Sequence, residues 1–315
     1  MERKKIVINI AIIGLFFILF VVWEQNFIHR ALPTSTTPSL KNNKFYLITT
    51  DNQDEFWKYI NEGASDMASL TGVKYFWKYP DERNPQKQIE VINEAIKQGA
   101  SALLISADDT RKLSGVVEDA KAKGIEVIYV DAPATEEAVT TLSTNNYEAG
   151  IAAGEKMISY LKKKKIESGS IGIITFKDKV TEMEREKGFR DALAKEPQYQ
   201  IVPTIYSGTS PESAEVKAEQ LMSTRDDLVG LFATNEPTSE GVGKANSEVK
   251  NKYTVVGFDK SAKTKELLDA GSIDVIIEQN PYTMGYVGMA EAIAAVLGKK
   301  TGPNFFNTGF NILEK

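Results

Sequence analysis

From Lys44 onward the chain alternates short apolar runs with longer stretches in which apolar residues recur every three or four positions. The runs Lys44–Thr50, Val73–Tyr79, Ala102–Ser106, Glu126–Val130, Ile171–Phe176, Gln200–Tyr206, Leu228–Thr234, Thr254–Phe258 and Ile273–Glu278 predict strands. Between them, Phe56, Ile60, Ala64, Met67 and Ala68 keep one helical face, as do Ile89, Ile92 and Ile96. Gly99 and Gly124 stand where two such helices should end in left-handed caps. Short, nearly continuous apolar strands alternating with helices predict parallel sheets covered on both faces.

About nine such units fit either one closed barrel or two open sheets. The rhythm breaks near the middle, where the extra run Val139–Ser143 precedes Thr144-Asn145-Asn146 and a new helix. That break favours two doubly wound α/β lobes joined by a hinge. The expected division is an N-terminal lobe over 44–144, completed by about 280–308, and a C-terminal lobe over 145–279.

The N-terminal segment has a different pattern. Arg3, Lys4 and Lys5 precede an apolar run from Ile6 to Trp23 interrupted only by Asn9, enough helix to reach ~27 Å, roughly one hydrocarbon thickness. No small-x-small site follows the run, so residues 1–30 read as an uncleaved transmembrane helix rather than a cleaved signal peptide. Residues 31–43, with Pro33 and Pro38 among Ser and Thr, read as a linker. The positive-inside rule then places the body on the extracytoplasmic side of the cell membrane.

Composition narrows the chemistry. There are no cysteines and one histidine, His29, so a lipid-modified Cys, thiolate metal sites and a Ser-His-Asp triad are excluded. The net charge is −5; residues 1–30 hold four basic and two acidic residues, leaving the body at −7, which argues against nucleic acid. Gly241-Val242-Gly243 lacks the spacing of a dinucleotide loop. Glu182, Glu184 and Arg185 read as surface charge on one helix.

Ligands of open parallel sheets sit beyond the C-terminal ends of strands. There the sequence repeatedly places carboxylates and carboxamides: Asp51 to Trp57, Asp131, Asn235-Glu236, Asp259 and Gln279-Asn280. Such groups suit vicinal hydroxyls, and Phe56 and Trp57 suit the C–H face of a sugar ring. Taken singly, each is also an ordinary helix cap or core residue. A carboxylate pair for glycoside hydrolysis on a barrel remains an alternative.

Asp54-Glu55-Phe56-Trp57, Val127-Ile128-Tyr129-Val130-Asp131, Thr144-Asn145-Asn146-Tyr147-Glu148-Ala149-Gly150, Arg185-Glu186-Lys187-Gly188-Phe189, Leu231-Phe232-Ala233-Thr234-Asn235-Glu236, Val255-Val256-Gly257-Phe258-Asp259 and Glu278-Gln279-Asn280 together carry a resemblance. In order and spacing the body resembles the type I periplasmic sugar-binding proteins, the ribose, galactose and xylose group. The resemblance implies a binding protein without enzymatic activity or cofactor. It implies sugar contacts from Asp54, Phe56, Trp57, Asp131, Asn235, Asp259 and Gln279, with Asn145, Met183 and Thr209 as further candidates. Met183 stands where the family has an arginine, Ala132 where it often has another, and Thr209 marks the place where the aromatic expected in ribose binders is absent. These departures point away from ribose and from a charged ligand. With a transmembrane anchor, the chain looks more like the xylose-sensing receptors that partner a LytS-type histidine kinase; a substrate-binding component serving an ABC permease is the alternative.

Overall fold

The computed structural model describes residues 40–299 and 302–315. The expected anchor and most of the linker lie outside the described residues. Among the described residues, no helix is long and apolar enough to cross a membrane.

The first lobe opens with β1 (Lys44–Ile48), α1 (Glu55–Thr71), β2 (Lys74–Lys78), α2 (Pro85–Lys97) and β3 (Ala102–Ile105). It continues through α3 (Ser114–Ala122), β4 (Glu126–Val130) and β5 (Thr141–Ser143). The chain then crosses into the second lobe: α4 (Asn146–Lys163), β6 (Gly169–Thr175), α5 (Val180–Leu193), β7 (Tyr199–Ile201), β8 (Ile205–Tyr206) and α6 (Pro211–Thr224). There follow β9 (Leu228–Ala233), α7 (Glu236–Glu248), β10 (Thr254–Phe258), α8 (Ala262–Ala270) and β11 (Val275–Gln279). Two returns complete the fold. α9 (Pro281–Val296) and β12 (Phe305–Asn307) rejoin the first lobe, and β13 (Phe310–Glu314) ends in the second.

The sheets run β12-β5-β4-β3-β1-β2 and β13-β11-β10-β9-β6-β7, with β8 also on β6. Both are parallel except for β13, which pairs antiparallel with β11. Each contains the doubly wound order with a switch point, at β1/β3 and at β6/β9. The predicted run Gln200–Tyr206 is split into β7 and β8 around Pro203, whose missing N–H cannot serve a ladder.

Each sheet is covered on both faces, so the cores form two clusters per lobe. Local signals close the helices. Asn84 caps α2 ahead of Pro85, Ser261 forms a capping box for α8, and Gly99 and Gly124 take positive φ as their positions predict. In both lobes one helix pair meets backbone to backbone. A Cβ on Gly63 of α1 would lie 2.1 Å from the Tyr282 carbonyl of α9, and one on Gly188 of α5 equally close to the Tyr147 carbonyl of α4.

The three crossings at residues 143–146, 279–281 and 307–310 are tied together. Thr308 N–H donates to the Ser143 carbonyl at 2.9 Å, and Asn280 Nδ2 donates to the Thr308 carbonyl at 2.7 Å. The Asn145 amide donates to Asn307 Oδ1 at 3.1 Å. A hinge built of three short, mutually bonded strands can bend while keeping the lobes in register.

Candidate functional site

The strand ends of both sheets face one interlobe cleft, which the touching lobes narrow to about 40 Å³ of space open to water-sized spheres. Two aspartates define it. β4 ends at Val130 and β10 at Phe258; the next residues, Asp131 and Asp259, take φ of +67° and +66°. Their amides still pair with the neighbouring strand, donating to the carbonyls of Leu142 and Ile277 at 2.8 and 2.9 Å. Each backbone therefore turns abruptly, with its carboxylate lining the cleft from its own lobe. Left-handed backbone at a non-glycine residue is costly and gathers at functional sites.

α1 supplies Asp54 at its N-terminus, then Phe56 and Trp57, whose rings meet edge-on at 4.9 Å. Phe176, at the end of β6, and Pro237 face the same cavity from the second lobe. Gln279 Nε2 donates to Asp259 Oδ1 at 2.8 Å, and Ser106 Oγ donates to Asp131 Oδ2 at 3.4 Å. Asn235 caps α7 with Oδ1 and turns Nδ2 to Glu182 Oε1 at 3.1 Å. Its cap role and its place in the cleft wall coexist.

Asp54, Phe56, Trp57, Asp131, Asn235, Asp259 and Gln279 thus lie together on the cleft. The other three candidates do not. Met183 is 62% exposed and Thr209 is exposed, while Asn145 caps α4 by accepting from the Glu148 amide at 3.2 Å. The helical phase of α5 explains Met183: Glu182 and Arg185 occupy the buried face, so Met183 and Glu184 between them point out. The same phase corrects the reading of Glu182 and Arg185 as surface charge. Arg185 is 2% exposed, its Nε donates to Asn146 Oδ1 at 2.8 Å and its Nη1 to the Thr234 carbonyl at 2.6 Å. Its guanidinium lies 3.9 Å over the Phe258 ring.

Nor is the cleft short of guanidinium groups, as the departures at Met183 and Ala132 had implied. Arg83, from the loop between β2 and α2, pairs with Asp51 and Asp54 and lies 5.4 Å over Phe176 of the opposite lobe. Arg83 stands five residues past the end of β2, beyond the strand-end positions that attract attention in the sequence. Phe176, in contrast, closes a predicted strand, a strand-end signal that could have marked it.

The lobes touch across the cleft. Glu236 accepts from the amides of Glu55 and Phe56, both at 3.0 Å, so a carboxylate from one lobe caps a helix N-terminus of the other. Glu55 Oε2 accepts from the Ala262 amide at 3.0 Å, and Lys179 pairs with Asp108 at the outer edge. These bonds define a closed arrangement.

Closure buries more carboxylate than cation. Burial pushes Asp131 up to about 7 and Asp259 up to about 6, although Arg185 pulls both down. Burial also raises Asp54 to about 6 against the pull of Arg83. Glu236 rises to about 8, through burial and then the Asp54 charge, despite its two amide donors. Three deeply buried polar atoms in the wall lack a partner: Trp57 Nε1, Asp131 Oδ1 and Gln279 Oε1. Orphans of this kind are rare because each costs ~1–3 kcal/mol. One donor and two acceptors around a small cavity are matched by hydroxyl groups, which donate and accept. Among the described residues no cluster suited to a metal ion occurs.

Two doubly wound lobes on a three-strand hinge, with polar groups and aromatics meeting in the cleft, define a hinge-closing small-molecule binding protein. The chain belongs to the periplasmic binding protein family: residues 45–300 match that domain. It is a type I member and not an enzyme. Similar proteins include the D-apiose import binding protein of Paraburkholderia graminis, 24% identical over 249 residues, 78% of each chain. The ribose import binding protein of Escherichia coli is 23% identical over 270 residues, 85% of this chain and 89% of that one. A carbohydrate transporter solute-binding protein of Agrobacterium radiobacter, solved with D-arabinose, is 27% identical with a TM-score of 0.82, covering 87% of this chain and 94% of that one.

Proposed function

We propose that this chain is an extracytoplasmic receptor that closes on one monosaccharide, a pentose such as xylose being favoured. The observation that carries the reading is the set of unpartnered atoms on Trp57, Asp131 and Gln279, three residues that line the interlobe cleft. Apiose, ribose and arabinose, named with the three relatives, are pentoses, which supports that class. Asp54, Phe56, Trp57 and Asp131 form one half of the ligand shell, and Asn235, Asp259 and Gln279 the other. Only the closed form bonds the sugar from both sides, so ligand shifts the open–closed equilibrium by its differential affinity. A thermal-shift screen of the full-length chain with D-xylose, D-ribose, D-arabinose and D-apiose, followed by calorimetry, tests this. Saturable stabilisation without turnover is expected; failure of all four pentoses, or product formation, would refute it.

For the partner, two readings stand on different observations. The basic-then-apolar sequence of residues 1–23 supports a body held at the cell membrane beside a histidine-kinase ectodomain, closure changing the surface it offers. The import function in the relatives' names supports delivery to an ABC permease instead. Pull-down from membranes with and without sugar separates them, since recovery of permease subunits alone would end the sensor reading.

A further inference from the structure

Beside the hinge lies a second chamber, about 640 Å³ including its open mouth. It shares Phe56, Asp259 and Gln279 with the main cleft, so these three side chains form the wall between the two spaces. Its own walls are aromatic: Tyr59 of α1 and Tyr282 of α9, 39% and 40% exposed. Tyr282 is held in place. Its hydroxyl donates to Asp66 at 2.9 Å and its ring stacks on Tyr286 with centroids 5.9 Å apart, so the face it presents is preformed. At the rim, Lys260 Nζ pairs with Glu278 Oε1 at 3.1 Å.

The partition itself carries an unmet demand. Gln279 commits Nε2 to Asp259, and its Oε1, on a side chain only 3% exposed, has no partner. Gln279 lines both chambers, so a hydroxyl or a bridging substituent that reaches this carbonyl from either side would satisfy it.

From this shared wall and its unmet acceptor we infer that the hinge-side chamber is a second subsite, taking the substituent of a glycoside whose sugar ring binds in the main cleft. The ligand class widens from free pentoses to their O-glycosides with a flat aryl group or second sugar ring, stacked on Tyr59 and Tyr282. The inference rests on the sugar reading proposed above.

The test is calorimetry on the full-length chain. D-xylose, D-ribose and D-arabinose are each compared with their methyl and p-nitrophenyl α- and β-glycosides. For the pentose that binds, one anomer of the p-nitrophenyl glycoside should bind at least as tightly as the free sugar. Tyr59→Ala and Tyr282→Ala should then weaken that glycoside roughly five- to tenfold while leaving the free sugar within about twofold. Thr283→Trp, on the chamber wall, should fill the space and remove glycoside binding alone. Exclusion of every glycoside, with the parent pentose still binding, would overturn the second subsite and leave the sugar reading intact. So would a glycoside whose affinity none of the three substitutions moves. Failure of every probe, the free pentoses included, would overturn both readings together.

Discussion

Sugar affinity should weaken as pH rises, and Glu236→Gln should remove much of that dependence. Glu236 reaches across the cleft to the Glu55 and Phe56 amides, 3.0 Å away, so its environment exists only when the lobes are closed. In the closed form its carboxyl is raised from 4.5 to about 8. An open cleft returns it to water and an ordinary carboxylate value. A raised pKa means that the closed form holds the proton more tightly, so closure takes up a proton between those limits. The contribution is fully present below the ordinary value, declines across the window and is lost once pH passes about 8. The upper bound is one proton per closure, or about tenfold in affinity per pH unit. Glutamine has the shape of protonated glutamate, keeps one acceptor for the amides and does not titrate. Near pH 5 the variant should therefore lose only about one hydrogen bond, roughly fivefold. Calorimetry in two buffers of different ionisation enthalpy counts the protons directly. Asp54, Asp131 and Asp259 are raised as well, so the diagnostic quantity is the difference between the two proteins. Equal proton uptake and parallel pH profiles for wild type and Glu236→Gln would refute the latch.

Asp131→Asn and Asp259→Asn should each weaken sugar binding about 10- to 100-fold with circular dichroism unchanged, since each alters a charged hydrogen bond worth ~1.5–3 kcal/mol; Met183→Ala and Thr209→Ala, both outside the cleft, should stay within about twofold by calorimetry. Trp57, with its Nε1 unpartnered at the cavity wall, should report sugar by a saturable fluorescence change that Trp57→Phe abolishes, whereas Trp77, already bonded to Thr49 Oγ1 at 2.9 Å, should contribute little. Gly63→Ala should drive a methyl into the Tyr282 carbonyl and separate α1 from α9, costing about 1–3 kcal/mol and lowering Tm by several degrees in a thermal melt.

Much of the fold was legible because its signals are local. A parallel strand buried on both faces must be apolar throughout, a helix must repeat near every fourth residue, and both patterns are written in consecutive positions. The aspartates at 131 and 259 were legible for the same reason, since a residue just past a parallel strand is placed by the strand. Pro203 could likewise have warned that one predicted strand would be two. What the sequence did not convey depends on how distant segments meet. Arg83 enters the cleft because its loop folds back onto Asp51 and Asp54, and it finds Phe176 only when the second lobe closes. Arg185 and Glu182 are buried because α5 packs with that face inward, and spacing alone could not tell them from Met183. The return of β13 to the second sheet, after β12 has served the first, is a choice of strand edge made by the assembled lobes. Periodicity determines what each segment becomes. Which side chains share the cleft is decided by tertiary packing, because contact, desolvation and unmet hydrogen bonds are properties of pairs of segments and not of any one of them.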